Sequence, residues 1–274
     1  MMSCTSNPFW HDPTKNELIL KGIVTAENKH TDVSISIWME SFDQYTITDS
    51  DGNFSIPINN SQSGTGHISG PVKIYFFIYN YNLDSATVFF TNGELSKDQT
   101  DFSTNGDLIK RVELTKILSG EMEFQLLENR FYDQDTVLLT FDGGIHSMVS
   151  IDLYKYIWKD EFDFHSGLIF RSITNDSVII YRFLGVDEYG NSVGDQIHHV
   201  NYEKNENFLW NYYILTNQIF LSPGSYEIFP FFLIRHEYFP DGLASAFGGD
   251  LTFTISEHYL KLPSDIVSDT LTID

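Results

Sequence analysis

The stretch Thr48-Asp49-Ser50-Asp51-Gly52-Asn53-Phe54-Ser55-Ile56, taken with the alternating run before it, decides the fold class. Upstream, Val33, Ile35, Ile37 and Met39 share one parity, and Ser34, Ser36 and Trp38 share the other. Successive side chains of a strand point to opposite faces, so this pattern predicts a half-buried β-strand. Tyr45 and Ile47 repeat the alternation, followed by Phe54, Ile56 and Ile58. The connection Asp49-Ser50-Asp51-Gly52 has turn chemistry: Asp carboxylates accept from nearby backbone amides, and glycine takes positive φ without a Cβ clash. The expectation is a hairpin with a type I turn closed by Gly52 in a G1 bulge. Asp49, Asp51 and Gly52 are then structural turn residues. An EF-hand calcium loop is excluded, because it needs Gly at its sixth position and Glu at its twelfth. Gly52 comes too early, and position twelve counted from Asp49 is Asn60.

Outward from this point the same rhythm continues. Residues 1–16 read as a polar tether. Residues 17–115 read as a first β-sandwich with a polar connector from residue 93, which holds one strand at Leu108–Leu114. Residues 116–274 carry further strand patterns at Gly120–Leu126, Thr136–Phe141, Met148–Tyr154, Gly167–Ser172, Val178–Phe183, Phe208–Leu221, Tyr226–Ile234 and Leu251–Ile255. Turn signals fall at Asp142-Gly143-Gly144, Asn175-Asp176, Tyr189-Gly190-Asn191, Ser222-Pro223-Gly224 and Asp241-Gly242. Short strands at such spacing predict a second sandwich. Helix is expected only in short pieces, near Asp241–Phe247 or Glu257–Leu260. The fold class is therefore all-β, with two β-sandwich domains.

The N-terminal part resembles the carboxypeptidase regulatory-like domain, a transthyretin-like, Ig-like sandwich of seven strands. The matching pattern is Leu20-Lys21-Gly22-Ile23-Val24, then Val33-Ser34-Ile35 with Trp38, then Tyr45-Thr46-Ile47-Thr48-Asp49, then Asp51-Gly52-Asn53-Phe54-Ser55-Ile56. It covers residues 17–92. The family usually has a Pro or Gly pair before the second strand; this chain has Asn28-Lys29-His30-Thr31-Asp32 there. The resemblance implies a non-catalytic module of the kind appended to peptidases, outer-membrane transporters and envelope lipoproteins.

Composition narrows the partners. The 274 residues include 38 Asp and Glu against 16 Lys and Arg, a formal charge of −22. Such a surface repels nucleic acid and anionic bilayers. Hydrophobic residues make up 42%, which is enough for a packed core. No window supplies the ~20 apolar residues of a spanning helix. The runs Ile74–Tyr79 and Phe229–Ile234 read as buried strands. The one cysteine, Cys4, rules out an internal disulfide and a cysteine-based zinc site. Met1-Met2-Ser3-Cys4 resembles the end of a bacterial lipoprotein signal, in which the cysteine is lipidated. A lipid on Cys4 would be the membrane attachment, and the bacterial cell envelope the compartment.

Catalytic patterns are few. Gly-x-Ser-x-Gly is absent, and the loop Asn59–Gly70 lacks phosphate-cradle spacing. His236-Glu237 opens a zincin-like pattern, but Pro240 stands where the second His belongs. His198-His199, if on a strand, would point to opposite faces. The acidic-aromatic run Trp158–His165 reads either as a sugar-binding ledge or as packing that closes a sandwich end. Trp10, Trp38 and Trp210 leave the same choice open. No catalytic residue, metal site or cofactor is expected. The sequence reads as a non-catalytic envelope protein that binds or scaffolds a protein or glycan. The alternative is a carbohydrate-binding accessory of a polysaccharide-uptake system.

Overall fold

The structure is a computed structural model. It describes residues 18–58, 69–98, 100–146, 151–153, 158–159, 164–165, 168–180, 185–186, 188–193, 205–215, 221–234, 236, 239–247 and 259–273. The chain is all-β apart from short helical pieces. Among the described residues, no helix is long and apolar enough to cross a membrane.

Eight strands build the first unit: β1 (Leu18–Ala26), β2 (Ser36–Met39), β3 (Gln44–Ile47), β4 (Asn53–Ile58), β5 (Gly70–Phe77), β6 (Asp84–Thr91), β7 (Glu94–Leu95) and β8 (Val112–Leu114). One sheet has the order β4-β1-β8, the other β3-β2-β5-β6-β7. Leu20 and Val24 of β1 and Phe54, Ile56 and Ile58 of β4 join one core with Ile37, Met39, Val72, Ile74, Phe76, Val88 and Phe90 of the other sheet. The period-two pattern is thus realised as two sheets face to face.

Three local expectations are corrected. First, β3 and β4 are not hairpin partners: β3 pairs with β2 and β4 with β1. The Asp49–Asn53 turn is an arch that carries the chain from one sheet to the other. Its chemistry is as read. Gly52 has φ +83°, and a Cβ there would lie 2.1 Å from the Val24 carbonyl oxygen. The Asp49 carboxylate accepts from the backbone amides of Asp51 and Asn53 at 3.0 and 2.8 Å. Second, Tyr45 and Ile47 are exposed, because crossing between sheets turns this parity away from the core. Third, β2 is buried on both faces, not one. Ile37 and Met39 enter the sandwich core, while Trp38 lies in a second core with Phe77, Leu243 and Phe247. The cover is helix α1 (Asp241–Ala246), whose Gly242 leaves no room for a side chain beside Trp38: a Cβ would sit 2.3 Å from Cζ2 of the indole.

The second unit begins with β9 (Leu118–Phe131) and β10 (Gln134–Ile145), a long hairpin turned by Tyr132 and Asp133 at positive φ. Asn207–Leu215 pairs on the far side of β10, in a five-stranded sheet completed by Gly185–Val186 and Ser192–Val193. A four-stranded sheet runs Val178–Ile180, Leu168–Ser172, Gly224–Pro230, Asp269–Ile273. Leu139, Phe141, Ile169, Phe170, Ile214 and Ile228 share the core. The expected turn at Asp142-Gly143-Gly144 is instead the continuation of β10. Its glycines serve packing. A Cβ on Gly143 would meet the Phe208 ring at 2.3 Å, and one on Gly120 opposite would meet the Phe141 ring at 1.9 Å. Two aromatic rings therefore cover two facing glycines, and the ladder continues where the sequence suggests a break. Of the expected strand Leu251–Ile255, nothing falls within the described residues. The closing strand Asp269–Ile273 has no counterpart in the sequence reading.

Candidate functional site

The polar centre of the described chain is Asp265, in the irregular segment before the last strand. Its side chain is fully buried. Oδ2 accepts from the Lys116 ammonium at 2.8 Å and the Tyr81 hydroxyl at 2.5 Å. Oδ1 takes His30 Nδ1 at 2.5 Å and the His30 backbone amide at 3.2 Å. The backbone is tied as well: the Asp265 amide donates to Asn80 Oδ1 at 2.8 Å, and Asn80 Nδ2 donates to the carbonyls of Leu118 and Asp265. Lys116 also donates to the Asn28 carbonyl at 2.9 Å and lies 5.2 Å from the centre of the Tyr81 ring. One carboxylate thus holds a loop and a strand connection of the first unit, the inter-unit linker and the C-terminal segment. Burial works against its ionisation, but the hydrogen bonds from Lys116, Tyr81 and His30 outweigh burial and hold Asp265 below the usual carboxylate range. Tyr81 moves the other way, its acidity suppressed by burial and by the adjacent carboxylate.

Beside this knot opens a cleft of about 420 Å³, walled by His30, Lys116, Asp265 and Val267 and floored by β9, β10 and the strand Asn207–Leu215. Register sets the floor. Gly144 lies between Ser119 and Asn207, and two residues along Asp142 lies between Glu121 and Leu209. His146 follows Gly144 by two residues and bonds Ser119 Oγ through Nε2 at 2.8 Å. Gly144 has ordinary φ, so its backbone does not demand glycine, but a side chain there would press on neighbouring polar groups. An ideal Cβ would sit 3.0 Å from Asn207 Oδ1, 3.1 Å from Ser119 Oγ and 3.5 Å from His146 Nε2. Three polar atoms therefore converge on one small recess. One row on, the carboxylates of Glu121 and Asp142 stand opposite each other, an arrangement of like charges that is unfavourable by itself. Among the described residues, no group of three or more His, Cys, Asp and Glu could hold a metal ion.

The residues singled out from sequence fall elsewhere. Cys4, Trp10, His198, His199 and Glu237 lie outside the described residues. Asp49, Asp51 and Gly52 sit in the inter-sheet arch, apart from the cleft lining. His236 is a core histidine: Nε2 meets the Tyr79 carbonyl at 2.9 Å, with Phe77 and Phe239 packed on the ring. Burial pushes it down to about 4, against the opposing pull of that hydrogen bond. Trp38 is buried packing, with Nε1 donating to Asp43 at 3.1 Å. Trp158–Lys159 and Phe164–His165 pair as a two-stranded ribbon. The cleft residues carry no motif. Ser119-x-Glu121, Asp142-x-Gly144-x-His146 and Asn207-x-Leu209 each show period two, but only the pairing of distant strands aligns them.

No family model matches the chain, and no curated protein matches it. Solved structures with some likeness include a proposed carbohydrate-binding protein from Bacteroides uniformis. It has 10% identity and a TM-score of 0.36, over 80% of this chain and 90% of that one. Another is the full-length major pilin SpaD from Corynebacterium diphtheriae. It has 8% identity and a TM-score of 0.39, over 93% of this chain and 64% of that one. At these scores the likeness is one of β-rich architecture alone.

Proposed function

We propose that this chain is a non-catalytic binding protein of the bacterial cell envelope. In this reading a carboxypeptidase regulatory-like module is fixed to a second sandwich, and the cleft at their junction receives the ligand. The observation that carries the reading is the Asp265 knot. A groove whose walls are tied to one buried carboxylate is preorganised, which lowers the ordering cost of binding. The contact of Ser119 Oγ with His146 Nε2 brings a hydroxyl within reach of a base, so hydrolysis is the reading to test against. Two features argue for binding instead. Among the described residues no carboxylate orients His146 Nδ1, whereas a working base is held by a third group. The Gly143 and Gly144 backbones belong to a central strand paired on both sides, so their amides are committed to the ladder and do not form an oxyanion hole. The purified chain is expected to turn over no peptide, ester or glycoside substrate above the level of Ser119→Ala. Turnover that disappears in Ser119→Ala or His146→Ala would replace this reading with a hydrolase.

A further inference from the structure

We propose that the ligand of this cleft is a neutral glycan, one sugar unit of which places hydroxyl groups into the recess over Gly144. The inference rests on the binding reading above and names the chemistry of its ligand.

Each floor residue has a fixed capacity to donate and accept hydrogen bonds. Ser119 and Asn207 each offer both donor and acceptor capacity, while Glu121 and Asp142 are acceptor-only. A sugar hydroxyl both donates and accepts, and adjacent hydroxyls present this pair repeatedly. The row Ser119–Gly144–Asn207 suits a group that does both, and the row Glu121–Asp142 suits groups that donate. Hydroxyl donors between these carboxylates would also replace two facing, solvent-only anions with charge-assisted hydrogen bonds. Because Gly144 has no side chain, the floor stays open beside Asn207 Oδ1, Ser119 Oγ and His146 Nε2, which lie 3.0 to 3.5 Å from where a Cβ would be, so a ligand hydroxyl above the glycine has these polar groups around it. The volume of about 420 Å³ falls in the range of small-ligand sites.

Charge sets the selectivity. Lys116, the cationic group of the wall, and the His30 ring are already engaged by Asp265. The free charges of the floor are then Glu121 and Asp142, within a chain of net charge −22. Uronic acids and phosphorylated sugars are repelled, and neutral glycans are accepted.

The test is titration calorimetry of the full chain with a panel of neutral oligosaccharides (cellotetraose, xylotetraose, mannotriose and chitotriose) and, in parallel, a galacturonic acid trimer. At least one neutral glycan is expected to bind, and the galacturonic acid trimer is not. Gly144→Ala should weaken the positive glycan at least tenfold by filling the recess. Asn207→Ala, at an exposed position, should weaken it several-fold without loss of folding by circular dichroism. Ile173→Ala, exposed in the turn after Leu168–Ser172, should leave it unchanged. Absence of any neutral-glycan heat, or undiminished affinity in both Gly144→Ala and Asn207→Ala, overturns the inference. An oligolysine peptide is the control for the parent reading. If it binds with dependence on Asp142 while glycans do not, the glycan inference falls and the binding reading stands. If a glycan binds and is cleaved, the site stands and the non-catalytic reading falls.

Discussion

His236 shows how a single side chain records its surroundings. It sits against Phe77, Tyr79 and Phe239, and among the described residues its polar partner is the Tyr79 carbonyl, to which Nε2–H donates. The neutral ring fits there and the imidazolium does not, so burial lowers its pKa from 6.5 to about 4. The unfolded chain takes up this proton as the pH falls through 6.5, and the folded chain resists until about 4. In that window the unfolded state binds more protons, so stability declines with falling pH by up to about 1.4 kcal/mol per unit. By pH 4 the loss amounts to about 3 kcal/mol by the same linkage, and it levels off below that. Asp265 behaves as the ordinary depressed carboxylate: its contribution is complete above its unfolded value of 3.8 and fades only below it, so the two windows separate. Urea unfolding at pH 7 and pH 4.5 checks the point. Wild type should lose stability between the two, and His236→Gln, though less stable at pH 7, should lose distinctly less. Equal losses would mean that the ring is not held neutral.

At the scale of elements, the important piece is one without regular structure. The segment from Leu262 to Val267 packs by capping rather than by a ladder of its own. The Pro263 carbonyl accepts from the Tyr79 amide at 2.6 Å, and the Val267 carbonyl accepts from the Met122 amide at 3.0 Å. Between them Asp265 meets Lys116, whose side chain is only 8% exposed. Removing one member of a buried pair strands the other, at a cost of about 3–5 kcal/mol. Asp265→Ala should therefore destabilise strongly, because among the described residues the Lys116 ammonium would keep the Asn28 carbonyl and the Tyr81 ring but no counter-ion. Lys116→Met should do likewise. The double variant should cost clearly less than the sum, with a coupling above about 1 kcal/mol by double-mutant cycle. Strictly additive costs would show that the pair does not hold this junction.

At the scale of the whole molecule, attachment and fold follow different rules. The attachment proposed above rests on Cys4. When the chain is expressed in a bacterium behind a lipoprotein signal sequence, the protein should partition into detergent, and Cys4→Ala should move it to the aqueous fraction. A native protein that stays aqueous with an unmodified Cys4 would remove the envelope assignment. The fold shows where local information ends. Period-two patterning and turn chemistry made the all-β class legible, because alternation and positive φ are properties of a few neighbouring residues. Gly52 is the clearest case, with its φ of +83°. The partner of each strand was not legible. The Asp49–Asn53 turn serves a hairpin and an inter-sheet arch equally well, and only packing decided for the arch, leaving Tyr45 and Ile47 exposed. Gly143 and Gly144 look like a break, yet aromatic rings from Phe141 and Phe208 keep the sheet continuous across this region. The candidate site was decided almost entirely by tertiary structure. Ser119, Asp142, Gly144, His146 and Asn207 come together through the register of three strands, and Asp265 meets His30 across 235 positions of the chain. The sequence determined which residues alternate and where the backbone can turn. Which faces meet, and so which polar groups are left facing a common cleft, depends on long-range contacts that no local pattern encodes.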